Sequence, residues 1–466
     1  MDSDTEILVK EAMRLCDADD ADHAWGIAEM LMDRSPDSAA GLMLATFVAW
    51  KMGKHTLSYQ LAIRTTQVAP LNAQAWMRLG IAANEIWQMD AAETAFKHGL
   101  RLSKDKGESS ALHLNYSALL LDTGRFAEAE EHARKALDFN PSSEKAKANM
   151  GLSLLGQRKW TGWDLYSHTL GLPGRRKTRF AQEGPWDGTK GLTVALYGEQ
   201  GIGDELSFAS MVPEAIRDSK RVILDCDAKL EHLFRRSFPE ATVHGTRWER
   251  VLDWPVEDRT PDASLALGEL GRLYRRTDES FPGTPYLVAD PIRRQMWRSE
   301  FDRKGKPAIG IAWTGGVPWT GAKFRTLSLE QLKPLFNSVD AQWVSLQYKD
   351  AAKDIATFRK RNLGVDLVQY PWATLTPDYD DTAALVAELD LVICIQTAVA
   401  HLAGALGKEC FVLLPKNSQW RYGTSGDIPW YKSVRVFRQR SLQDWHGPIG
   451  EVIGRIRARY PRAEAA

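Results

Sequence analysis

Ile393-Cys-Ile-Gln-Thr-Ala-Val-Ala-His401-Leu-Ala-Gly-Ala-Leu-Gly407 is the stretch whose reading decides the fold. It completes Leu391-Val-Ile-Cys-Ile395, apolar at every position, which predicts a central strand buried on both faces. Gln396 and Thr397 break the run, and a helical pattern follows whose first N–H groups and dipole suit a phosphate. About 200 residues earlier, Leu196-Tyr-Gly-Glu-Gln-Gly201-Ile-Gly203-Asp204-Glu-Leu-Ser-Phe208 repeats the order strand, small and polar turn, helix. Two such helix starts facing each other are able to hold a diphosphate and a nucleophile.

Working outward from each stretch gives two strand-helix regions. Around the earlier one, Leu192–Tyr197 and Arg221–Asp227 read as strands, with helices over Glu205–Asp218 and Ala228–Phe238. Around the later one, strands are expected at Ala308–Trp313, Gln342–Gln347, Val365–Val368 and Phe411–Leu414, with helices at Leu329–Phe336, Lys353–Arg361, Ala383–Leu389 after an Asp380-Asp381-Thr382 cap, and Pro448–Ala458. Strands alternating with helices predict parallel sheets.

Before residue 170 the period changes. Pro36 and Pro70 stand 34 residues apart, the tetratricopeptide spacing, and Pro141 follows after two periods and a three-residue insertion. Trp76, Leu79, Gly80, Ala92 and Phe96 fall on consensus positions of one repeat; Gly124-Arg-Phe126, Ala129 and Ala136 mark the next, Gly53 an earlier turn, and Gly151 a partial fifth repeat. Four repeats and a remnant are expected, forming a curved groove suited to a peptide or another protein, the alternative being helices that only cap or dimerise the rest. The expected organisation is a helical-repeat domain over 1–170, a linker over 171–191, a first Rossmann-like domain over 192–290 and a second over 291–466.

Composition narrows the function. Sixty basic residues against sixty acidic ones remove the electrostatic case for a nucleic-acid binder. No apolar run reaches the roughly 18 residues of a membrane span, and the acidic start resembles no export signal, so the expectation is cytoplasmic. Cys16, Cys226, Cys394 and Cys410 form no CxxC pair and are expected as buried thiols.

Several residues have two readings. Asp204 suits the N-cap of the helix after the first strand, and equally a general base fixed where open sheets place ligands. His401 shares a helix face with Thr397 and reads as a ligand contact or a hydrogen-bonded packing residue. Asp225-Cys-Asp227 spells the metal-binding D-x-D, but fits a strand end and helix cap better. The turn Gly198–Asp204, with Gly201 and Gly203, is not the dinucleotide fingerprint, which argues against a nicotinamide cofactor. Thr314-Gly-Gly-Val-Pro-Trp-Thr-Gly321-Ala-Lys323-Phe-Arg325 is a glycine-rich loop with two cations, a phosphate or nucleotide neighbourhood, and Gln347 ends the next strand. Arg175, Arg176, Lys177 and Arg179 stand in the linker, either near a phosphate or on a solvated surface.

Gly203-Asp204 after the first strand and Thr397-Ala-Val-Ala-His401-Leu-Ala-Gly404 after a late one resemble the ADP-heptose:lipopolysaccharide heptosyltransferase family, and with the repeats in front the chain resembles bacterial tetratricopeptide-repeat proteins carrying such a domain. The resemblance implies a GT-B-type pair of Rossmann-like domains and metal-independent, inverting sugar transfer from a nucleotide-diphosphate donor, without a cofactor. By that carry-over Asp204 deprotonates the acceptor hydroxyl and Thr397, Ala398 and Val399 hold the diphosphate. Gln396, His401, Lys323, Arg325 and Gln347 complete the donor side, and Gly201 and Gly203 the phosphate turn. Family members commonly carry an acid before the threonine; Gln396 offers an amide without negative charge, which bears on donor identity. The alternative is a non-catalytic interaction scaffold on a transferase-derived domain. An epimerase or phosphorylase fits less well, since neither a dinucleotide fingerprint nor a cofactor-lysine motif is present.

Overall fold

The computed structural model describes residues 3–177, 180, 184–249, 251–316 and 321–461. Arg179 and positions 317–320 of the glycine-rich loop lie outside the described residues. The chain divides into two compact units, Met1–Leu154 and Leu155–Ala466.

The first unit is helical. Its elements are α1 (Ser3–Asp17), α2 (Ala21–Arg34), α3 (Ala39–Lys51), α4 (His55–Val68), α5 (Ala73–Glu85), α6 (Met89–Leu102), α7 (Lys106–Asp122), α8 (Phe126–Phe139) and α9 (Glu144–Gly156). Side chains of Ser38, Asn72 and Asp105 accept the opening N–H groups of α3, α5 and α7, which is why those helices start where they do. The turn between the two helices of each of the four pairs passes through one left-handed residue, in order Asp19, Gly53, Trp87 and Gly124, and the same conformation recurs at Arg158 after α9. Those positions are 34, 34, 37 and 34 residues apart, the expected period with its single insertion. Alanines line the helix contacts: Ala28, Ala45, Ala62, Ala83, Ala92 and Ala129 are fully buried. After α9 no second helix of a fifth pair follows; Trp160–Thr169 forms a 3-10 segment belonging to the second unit. The helical unit therefore ends about sixteen residues before the boundary expected at 170.

The second unit holds two parallel sheets. The smaller contains β1 (Thr193–Tyr197), β2 (Arg221–Asp225), β3 (Thr242–His244) and β4 (Ala263–Ala266) in the order β3-β2-β1-β4. The larger contains β5 (Ala308–Ala312), β6 (Gln342–Ser345), β7 (Leu367–Gln369), β8 (Leu391–Ile395), β9 (Cys410–Leu414) and β10 (Val434–Arg438) in the order β10-β9-β8-β5-β6-β7. Both orders reverse direction once, between β1 and β4 and between β5 and β8, and open sheets bind ligands beyond the strand ends at such points. β8 is buried throughout, as expected.

The helices that matter below are α10 (Ile202–Phe208), α11 (Val212–Asp218), α12 (Glu231–Ser237), α13 (Pro291–Asp302), α14 (Leu329–Phe336), α15 (Ala352–Arg361), α16 (Tyr379–Glu388), α17 (Ala398–Ala405) and α18 (His446–Arg459). The helix expected over 205–218 is two helices joined by a 3-10 turn at Ala209–Met211. α16 is capped by Asp378; Asp380 and Asp381 sit in its first turn, paired with Arg236 of α12 and Arg293 of α13. The Arg236–Asp380 pair ties the two sheet halves together, with His232 of α12 adding a contact to Asp378 at 3.2 Å.

Described residues of the stretch 171–191 are tied into the second unit. Arg176 pairs with buried Asp225 at 2.5 Å, and Trp186 is buried with its backbone N–H on Ser264. Arg175 donates to Thr169 Oγ1 and lies over the Tyr166 ring. Both arginines are thus held by the fold rather than placed for a phosphate.

Candidate functional site

The end of β1 and the end of β8 come together. After β1 the chain turns at Gly198, where a side chain would strike the Glu205 carboxyl, and α10 begins. Its N-cap is Gly201, so Asp204 lies in the first turn and not at the cap position expected for it. A Cβ on Gly203 would stand 3.4 Å from Ala398 Cα and 3.5 Å from His401 Cδ2, so the openings of α10 and α17 are in direct contact.

Thr397 caps α17: its hydroxyl accepts the Val399 N–H at 3.1 Å, and its carbonyl accepts the Ala400 N–H. The loop after β5 covers it from the other side, where a Cβ on Gly315 would meet Thr397 Cγ2 at 3.2 Å. Gln347 pairs with Thr314 through its amide and thereby fixes that loop; it serves as a strut. Arg325, 5% exposed, donates to the Gly315 carbonyl at 3.2 Å. Burial, with Arg421 nearby, lowers its pKa. Lys323 is exposed and lies over the Phe324 ring, so of the two loop cations only Arg325 joins the buried cluster.

His401 is held between two tyrosines. Its Nδ1 is 3.2 Å from the Tyr431 hydroxyl and its Nε2 is 3.3 Å from the Tyr422 hydroxyl, so both ring nitrogens have partners. Burial first, then the Arg421 charge, lower its pKa to about 3. Of its two sequence readings, the packing one describes its surroundings.

Arg421 is the residue that sequence reading missed. Its Nη1 lies 2.5 Å from Asp204 Oδ1 and its Nη2 donates to Gln419 Oε1 at 3.0 Å. The guanidinium is flanked by the Phe208 and Trp420 rings. Its side chain is 7% exposed and Nε finds no hydrogen-bond partner, while the Asp204 side chain is 16% exposed. Gln396, buried, accepts the Gln419 N–H on its Oε1, which holds the arginine-bearing loop against the end of β8. The available signal was a cation between two aromatic residues, Trp420-Arg421-Tyr422, in a loop at this sheet edge.

Behind Asp204 lies a second, fully buried acidic layer. Glu199 accepts the Tyr166 hydroxyl at 2.7 Å, and burial raises its pKa. Glu205 pairs with Arg247, yet burial still raises it to about 8. Asp227 takes the other arm of Arg247 at 2.7 Å and caps the 3-10 turn at Ala228–Leu230. Asp225 belongs to Arg176, so the D-x-D letters describe two structural ion pairs.

No family model matches the chain. It is 29% identical to Protein FlbA of Caulobacter vibrioides over 454 residues, spanning 91% of this chain and 73% of that protein. Among solved structures it is similar to MamA, at 18% identity and a TM-score of 0.28 over 35% of this chain and 84% of that one. YrrB, described as a TPR protein with an unusual peptide-binding site, gives 14% and 0.26 over 32% of this chain and 74% of that one. PilF of Pseudomonas aeruginosa gives 13% and 0.35 over 46% of this chain and 85% of that one.

Proposed function

We propose that the chain is a glycosyltransferase that moves a sugar from a nucleoside-diphosphate donor to a protein or glycan acceptor recruited by the helical repeats, with inversion and without a metal. In this reading the two sheet halves are a GT-B-type pair, and the heptosyltransferase-like motifs occupy their switch points. The observation that carries it is the contact between the openings of α10 and α17, where Gly203, the residue before Asp204, lies against Ala398, the residue after Thr397.

The chemistry follows from charge. The Asp204 carboxylate accepts the proton of the acceptor hydroxyl; the oxygen attacks the anomeric carbon as its bond to the diphosphate oxygen breaks, and the proton leaves later to solvent. Negative charge grows on the leaving diphosphate, where the α17 dipole and the buried guanidiniums of Arg325 and Arg421 oppose it in a low-dielectric setting. Three fixed positive groups at one spot take the part that a cation takes in metal-dependent transfer.

The second reading, a non-catalytic scaffold, is favoured by one observation: Arg421 already holds Asp204, at 2.5 Å. The two readings part in one experiment. Titration calorimetry against a panel of nucleotide sugars, with Asp204→Asn beside the parent, is expected to give donor binding in both and turnover only in the parent, at least about a hundredfold above the variant. Absence of binding by every activated sugar and free nucleotide would leave the scaffold.

A further inference from the structure

In the helical unit the first helices of successive pairs, α1, α3, α5 and α7, pack on one another, so residues one repeat apart form rows across that layer. One row, set by the same spacings as the turns, runs Lys10, Leu44, Arg78, Asn115 and Asn149. Every polar member but one is engaged. Lys10 pairs with Glu6 at 2.7 Å, Asn115 donates to the Ala111 carbonyl at 2.8 Å, and Asn149 donates to Ser117 Oγ at 2.8 Å. Arg78 is only partly exposed, yet its guanidinium has neither an acidic partner nor a hydrogen-bond acceptor among the described residues, and its Nε is buried. Burial lowers its pKa, with no counter-charge to oppose the effect. A cation withdrawn from water and left unpaired is costly to keep, and a counter-ion brought by a partner removes that cost.

The surroundings of Arg78 narrow the partner. Its guanidinium lies over the Phe47 ring, 5.1 Å from the centroid; Lys51 reaches the same ring at 5.9 Å, and Trp50 stacks beside it at 6.1 Å. Phe47, Trp50 and Ile81, one turn after Arg78, are half-buried and keep apolar surface open. Glu85 is already used, accepting Trp50 Nε1 at 3.0 Å. Two cations on an aromatic floor take a carboxylate together with the apolar side chain next to it, and rows repeated along a helical stack suit an extended chain. We propose that the patch around Arg78 is a docking site for an extended acidic peptide, with one aspartate or glutamate carboxylate on the guanidinium and the neighbouring apolar side chain on Phe47 and Trp50. The site stands without the transferase reading. Joined to that reading, the peptide belongs to the acceptor, which makes the acceptor a protein.

The test is selection from a random dodecapeptide phage library on the immobilised full chain, then fluorescence anisotropy of a selected peptide with the parent, Arg78→Met and Arg78→Lys. The selected peptides should share an acid next to an aromatic or long aliphatic residue. Methionine keeps the apolar stem and drops the charge, so Arg78→Met should melt no lower than the parent, which a cation with a structural role would not allow. It should bind the peptide about tenfold more weakly or worse, with Arg78→Lys in between. Replacing the peptide's acid by its amide should cost the parent about tenfold and Arg78→Met less than about twofold, because the cycle removes any general charge effect. Selected peptides without an acid, an Arg78→Met protein that binds as tightly as the parent or melts well below it, an equal loss in both backgrounds, or displacement of the peptide by an oligogalacturonate overturns the docking site. Arg78-dependent binding by a chain that binds no nucleotide sugar upholds the site and removes the transferase; donor turnover without Arg78-dependent binding removes the site and leaves the transferase.

Discussion

At the scale of single residues, His401 shows how little a position in a motif says about the surroundings of its side chain. It sits where a ligand contact was one expectation, yet both ring nitrogens are taken by tyrosine hydroxyls and burial lowers its pKa to about 3. An unfolded chain returns it to about 6.5. Below that value the unfolded state binds the extra proton, so this group costs stability progressively as pH falls from 6.5 towards 3, at up to about 1.4 kcal/mol per pH unit. His401→Gln, which does not titrate, is expected to lose that slope: urea unfolding at pH 7 and pH 4.5 should show a drop smaller by about 2 kcal/mol than the parent's. Equal drops would mean that His401 is not held neutral. The site was half legible for a physical reason. Asp204, Thr397 and Ala398 follow strands, and strand ends are local in sequence, whereas Arg421 becomes a partner of Asp204 only when two separate loops meet in space. The donor role of Lys323 and Gln347 comes from the family resemblance, and their contacts with Phe324 and Thr314 depend on packing that no spacing reveals.

At the scale of elements, the repeats and the parallel strands were readable because each carries its own period. Gly80 and Phe96 fall on consensus positions of one repeat, and the fold explains both: a Cβ on Gly80 would stand 2.5 Å from the Phe96 ring. Gly404 has the same relation to Tyr431, one of the two tyrosines that hold His401. Gly80→Ala and Gly404→Ala are therefore expected to cost about 1–3 kcal/mol each through overpacking, even though alanine favours helix. Gly203→Ala meets only ordinary contacts, 3.4 Å at the nearest, and should leave stability within about 1 kcal/mol of the parent. Chemical denaturation of the three variants checks the ranking; a Gly404→Ala protein as stable as Gly203→Ala would contradict the packing. The strands that escaped sequence reading, β3, β4 and β10, are short, small-residue or edge elements. Ala263-Ser-Leu-Ala266 carries little β-propensity, and Val434-Arg-Val-Phe-Arg438 at the sheet edge carries two arginines three residues apart, which breaks the period of two.

At the scale of the whole chain, the point of interest is where the helical region stops belonging to itself. Helical periodicity fades gradually, so the sequence placed the boundary at 170, after Trp160-Thr-Gly-Trp-Asp-Leu-Tyr166. Those aromatics instead pack within the second unit. Trp163 is 1% exposed, lies against Gly271 and meets the Phe208 and Trp420 rings edge-on, the same rings that flank Arg421. Tyr166, fully buried, donates to Glu199 in the loop that leads to Asp204. The 3-10 segment is thus the back wall of the candidate site, and removing a tryptophan of this kind costs about 3–5 kcal/mol. Trp163→Ala in the full chain should lower the melting temperature of the sheet unit by about 10 °C, given some 2–4 °C per kcal/mol in units of this size, and leave the melting of the helical unit in place. A fragment beginning at residue 172 should melt like Trp163→Ala or fail to fold, whereas one beginning at residue 155 should keep the parent transition. Circular dichroism melts of the four proteins decide the matter: equal stability of the fragments begun at 155 and 172 would return the segment to the repeats and leave the aromatic wall without a structural role.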